Sequence, residues 1–123
     1  MQKTLFTTIA VALFAVTSSP VFAQTEKASQ KKTISGEVID ISCYVDHGSH
    51  GVKHKKCAEA CIESGLPVGI LDQSGKVYLA IKGHEPATEL LSKYIADDVK
   101  VTGTVAERGG ITVIDVEKVE KVK

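Results

Sequence analysis

DVKVTGTVAERGGITVIDVEKVEKV, residues 98–122, is the stretch whose reading decides the fold. Val99, Val101, Gly103 and Val105 alternate with polar residues, Arg108-Gly109-Gly110 makes a turn, and Ile111 to Val119 returns. Alternation with period two lines one face of a strand with apolar groups. Two such runs joined by a glycine-rich turn predict a hairpin.

Moving toward the N-terminus, Pro86 opens a predicted helix, PATELLSKYI, with Ala87, Leu90, Leu91, Tyr94 and Ile95 on one face. VGILDQSGKVYLAI before it is a second hairpin, turning through Asp72-Gln73-Ser74-Gly75. KKCAEACIES has helical composition, and Gly65 followed by Pro67 is the expected stop. YVDHGSHGVK, rich in Gly, His and Asp, reads as a loop. TISGEVIDIS, from Thr33, is a β-branched strand with Gly36 as its bulge or bend. If that strand persists, Cys43 shares the side of Ile39 and Ile41.

Five strands with a helix between the third and fourth is the layout of an OB-like Greek-key barrel. The expectation is a mainly β domain over 33–123, with a Cys/His-containing loop-helix insert after strand 1. A two-layer α+β sandwich and another small barrel are the competing architectures.

The N-terminus carries a different signal. Lys3, the apolar run LFTTIAVALFAV and the small residues Val21 and Ala23 form the three parts of a secretory signal peptide over 1–23. The apolar run falls short of the ~20 residues a bilayer span needs. QTEKASQKK, 24–32, is polar and reads as a disordered leader. The expected location is periplasmic or secreted, an oxidising compartment, with no membrane association after cleavage. Lys+Arg and Asp+Glu balance at 15 each, so losing Lys3 leaves the mature chain with one excess acidic residue. Such a chain has no basic footprint for nucleic acid.

HKKCAEAC, 54–61, holds His54, Cys57 and Cys61 at helical offsets. At ~100° per residue their directions fall within roughly 60° of one another. Residues four apart on a helix have Cβ atoms ~5–6 Å apart, too far for the ~3.5–4.5 Å a disulfide needs. A zinc ion with Zn–S bonds of ~2.3 Å suits that spacing better. Cys43 is placed to be a fourth donor, completing a Cys3His-type metal set of Cys43, His54, Cys57 and Cys61. His47 and His50 stand as substitutes or as hydrogen-bond partners of the ligands. Thiolate and imidazole donors suit zinc or copper and disfavour calcium and magnesium. The only methionine is Met1, which leaves copper(I) as the second choice, without thioether sulfur.

The rival reading is a disulfide from Cys43 to Cys57 or Cys61, a spare thiol and no metal, in a stabilised binding or redox module. His84 reads as a surface residue, and Glu59 and Glu63 as a solvated helix face. No Ser-His-Asp order, P-loop or G-x-G-x-x-G appears, and no catalytic residue is identified.

GEVIDISC (36–43), HKKCAEAC (54–61), GLPVGIL (65–71) and VKVTGTV (99–105) together resemble a group of small, signal-bearing bacterial proteins without established activity. The resemblance spans about residues 34–119 and implies an OB-like barrel whose cysteine segment is one unit. The functional expectation is an exported zinc- or copper-binding protein. Its partners would be the ion and another periplasmic protein.

Overall fold

The computed structural model describes residues 27–123, so the expected signal peptide lies outside the described residues. Strand β1 (Lys27–Asp40) is followed by helix α1 (Ile41–His47), a 3-10 turn (Val52–His54) and helix α2 (Lys55–Glu63). The hairpin β2 (Val68–Asp72) and β3 (Val77–Lys82) comes next, then a two-residue strand β4 (Glu85–Pro86). Helix α3 (Thr88–Leu91) runs into a 3-10 turn (Ser92–Tyr94), and β5 (Asp98–Arg108) and β6 (Ile111–Lys121) form the closing hairpin. Among the described residues no helix is long and apolar enough to cross a membrane.

The strands run β2-β1-β5-β6-β3, and β2 pairs with β3 to close the ring; β4 is an extra strand on β3. All the pairings in the ring are antiparallel except β3 with β6. This closed five-strand mixed barrel, with one extra strand, is OB-like. Long β1 makes closure possible. Its first part pairs with β5 and its last part with β2, and Gly36 and Glu37 pair with both. A Cβ on Gly36 would collide with the Leu71 carbonyl, so the close crossing needs glycine. Gly103 meets the same need against the Asp115 carbonyl, beside a register shift between β5 and β6.

Alternation fills the barrel. Val99 and Val101 from β5, Ile114 and Val116 from β6, and Val68 and Ile70 from β2 are fully buried. Ala87, Leu91 and Ile95 close part of this core through α3 and its continuation. Ala58 and Ile62 join it from α2. Of the insert's two helices, α2 is the one that sends buried residues into this core, and it does so from one face.

Three expectations need correction. β1 starts at Lys27 and not at Thr33, so Lys27 and Gln30 to Lys32, assigned to the leader, pair with β5. Gln30 to Lys32 are exposed, so the strand there has no buried face. β1 also stops at Asp40, where the chain turns into α1, so Cys43 sits on a helix and not at a strand end. The expected helix from Pro86 is reduced to one α turn plus a 3-10 turn. Pro86 itself lies opposite Ile81 in an edge strand, the position in a sheet that tolerates a missing N–H.

Candidate metal centre

Asp40 ends β1 and starts α1. Its carboxylate accepts from the backbone N–H of Ser42 at 3.0 Å and of Cys43 at 3.4 Å, a side-chain cap on otherwise unpaired helix donors. The cap fixes Cys43 in the first turn of α1. At the other end Gly48 takes a left-handed conformation, φ 68°, and its N–H bonds back to Tyr44 O at 2.7 Å. The chain then returns through Gly51, φ 80°, whose N–H is held by Glu37 Oε1 at 2.5 Å, and enters the turn that delivers His54.

Burial grades around α2 in the way its geometry requires. Taking His54 as origin, ~100° per residue puts Cys61 roughly 20° to one side and Cys57 roughly 60°. Ala58 and Ile62 lie roughly 40° and 80° to the other side. Ala58 and Ile62 are buried, His54 and Cys61 half-buried, and Cys57 exposed. The donors thus occupy the flank between core and solvent, facing α1.

There the donors meet. Cys43 Sγ lies 3.9 Å from Cys61 Sγ. Two Zn–S bonds of ~2.3 Å at a tetrahedral angle span ~3.8 Å, so this pair already has the length of an edge around one ion. A disulfide at ~2.05 Å is much shorter, and all three cysteines are free. Cys43 Sγ, a ring nitrogen of His54 and Cys57 Sγ all lie within 4.8 Å of one another. Asp40, Cys43 and Cys61 form a second group within the same limit. Cys43 belongs to both.

Comparison with protein-family models, curated proteins and solved structures finds no match. The chemistry is therefore read from the donors themselves.

His54 Nε2 is buried and lacks any hydrogen-bond partner. A buried imidazole nitrogen without a partner costs free energy, and an ion on the ring removes that cost. Three sulfurs and an imidazole are soft to borderline donors of the kind zinc and copper(I) take. The residues present fit such an ion.

Electrostatics within the cluster centre on Asp40, which is only 1% exposed. Burial pushes its carboxyl pKa up, but the Cys43 thiol, the Ser42 N–H, the Cys61 thiol and the Cys43 N–H together hold it below the usual 3.8. The Cys43 thiol, hydrogen-bonded to that carboxylate, partly buried and close to Cys61, is pushed up to about 12. Burial raises Cys61 as well; the hydrogen bond with Cys43 opposes it, and Asp40 adds to the rise. Without an ion the Cys43 and Cys61 thiols are protonated donors to one carboxylate.

The two substitute histidines are engaged elsewhere. His47 Nε2 pairs with Asp46 Oδ2 at 2.9 Å on the exposed end of α1. His50 Nδ1 pairs with Glu37 Oε2 at 3.0 Å, and its ring meets Tyr44 edge-on with centroids 5.9 Å apart. His84 is exposed in the turn between β3 and β4. Asp40 is the member that sequence reasoning missed. Its signal was a capping pattern: an Asp opening Ile41–His47 and a glycine directly after it.

Proposed function

We propose that this chain is an exported metal-binding protein that holds zinc, with copper(I) as the alternative, through Cys43, His54, Cys57 and Cys61. One observation carries the reading: Cys43 Sγ stands 3.9 Å from Cys61 Sγ while sharing a second donor group with His54 and Cys57. The unpartnered His54 Nε2 supports it. Export rests on the pattern of residues 1–23, and the resemblance to small signal-bearing bacterial proteins agrees with it. Closing α1 against α2 around an ion adds free energy to the packing of the insert, because the ion binds the folded arrangement.

A second reading has its own support. Cys43 and Cys61 are in sulfur contact and Cys57 is exposed, so a Cys43–Cys61 disulfide with Cys57 as spare thiol is the specific form of the rival. Protein purified from the periplasm without a histidine tag, assayed for thiols after denaturation and for metal content, separates the two. Three thiols with bound ion supports metal binding. One thiol and no ion refutes it in favour of the disulfide.

A further inference from the structure

Two donor groups meet at one sulfur. Cys43, His54 and Cys57 make the first, Asp40, Cys43 and Cys61 the second, and each is compact within 4.8 Å. A thiolate sulfur has lone pairs enough to bind two metal ions at once, whereas each imidazole nitrogen has only one. We propose that the cluster holds two divalent ions bridged by Cys43 Sγ, one also bound by His54 and Cys57, the other by Asp40 and Cys61. The proposal rests on the metal-binding reading above and gives it a stoichiometry.

Charge balance favours two ions over one. Three thiolates and the Asp40 carboxylate carry four negative charges, and His54 is neutral as a ligand. A single divalent ion leaves two uncompensated charges around a carboxylate that is 1% exposed. Unpaired charge away from water is strongly disfavoured. Two divalent ions bring the cluster to neutrality. Lys53 and Lys56 nearby in sequence are exposed, so water and salt screen their contribution. Each of the three thiols gives its proton to solvent as its sulfur binds, so no oxidant or reductant is involved.

Asp40 acquires a second role in this arrangement. Besides capping α1 it is a ligand, which explains why a carboxylate is buried beside two thiols when a serine or asparagine would cap the helix equally well. The groups also predict an order of exposure. Cys57, on the first ion, is exposed, whereas Asp40 and Cys61, on the second, are buried and half-buried.

The test is zinc stoichiometry of the reduced, untagged mature chain by native mass spectrometry, with competition by a chromophoric chelator. Two tightly held Zn2+ per chain are expected. Asp40→Asn keeps a capping side chain and should retain one, as should Cys61→Ser, both losing the ion of the Asp40 group; Cys57→Ser should also retain one, losing the ion of the His54 group. Cys43→Ser should lose both tight ions. Circular dichroism of each zinc-free variant reports folding, and Cys57→Ser, at an exposed position, keeps the test valid if the others unfold. Saturation of the parent chain at one ion overturns the two-ion arrangement and leaves the metal-binding reading standing; no ion at all overturns both. A second ion that survives Asp40→Asn but vanishes in an Asp46→Asn/His47→Asn variant is an adventitious surface ion only, and also overturns it.

Discussion

Ile62→Ala tests whether the insert is held by the core-facing side of α2. Ile62 is 1% exposed and belongs to the barrel core, while Ala58 is the other buried residue of that helix. Truncating a buried isoleucine to alanine costs about 2–5 kcal/mol through lost transfer energy and the cavity left behind. The upper half of that range is expected only if α2 cannot collapse into the gap, and Val38, Val68 and Ile70 in the surrounding core come from strands fixed by the barrel ladders. Urea unfolding followed by far-UV circular dichroism, in chelator, measures the loss. Ile111→Ala serves as control, since Ile111 is 62% exposed and its loss should stay within about 0.5 kcal/mol. Zinc at a hundredfold excess over its dissociation constant should return about 2.7 kcal/mol to either protein for each ion bound only by the folded form. A loss below about 1 kcal/mol for Ile62→Ala would refute the claim that core packing carries the ligand helix. So would an equal loss for Ile111→Ala.

Further outcomes follow from the same geometry. Cys43 is pushed up to about 12 and Cys61 is also raised, so in the ion-free chain these thiols keep their protons through neutral pH. Ion uptake must then expel protons and strengthen as pH rises; calorimetric titration of zinc in buffers of different ionisation enthalpy should show net proton release, and a pH-independent affinity between 6 and about 8 would contradict this. Asp40, Asp72 and Asp97 all titrate below 3.8 in the folded chain, Asp40 and Asp72 through hydrogen bonds that outweigh burial, Asp97 through its bond to Lys121. Their contribution to the zinc-free fold is complete above the unfolded value and lost as pH falls through the depressed folded values, so urea midpoints should hold steady near neutrality and fall below about pH 4. Gly36→Ala puts a methyl against the Leu71 carbonyl at the barrel closure and should cost about 1–3 kcal/mol in a thermal or urea melt, whereas Gly75→Ala leaves open space and tests only a turn with φ 85°.

The barrel was largely legible because its strands alternate and its turns carry glycine. Val99 and Val101 are buried as their period requires, and Gly109 and Gly110 adopt φ 58° and 81° in the turn assigned to them. Gly36 was legible as a bend, though the carbonyl it must pass belongs to Leu71 on another strand and is visible only in space. The start of α1 was hidden for a physical reason. Ile39, Ile41 and Cys43 keep a two-residue period across the boundary, and a capping Asp40 looks the same as a polar residue on the outer face of a strand. Reading that boundary wrongly also concealed Asp40 as a neighbour of the sulfurs. The short helix after Pro86 was overdrawn because Leu90 and Leu91 suit an amphipathic pattern. Only Ala87, Leu91 and Ile95 are buried, and Leu90 faces outward.

Because Cys61 and Ile62 are adjacent on α2, turning that helix about its axis to open the cluster would drag an isoleucine out of the barrel. If the proposed site holds an ion, its exchange is therefore denied a roll of α2. It has to proceed by side-chain rotation, one bond at a time, beginning at Cys57, the sulfur that an incoming competitor can touch without disturbing the frame. The backbone would then look the same before and after.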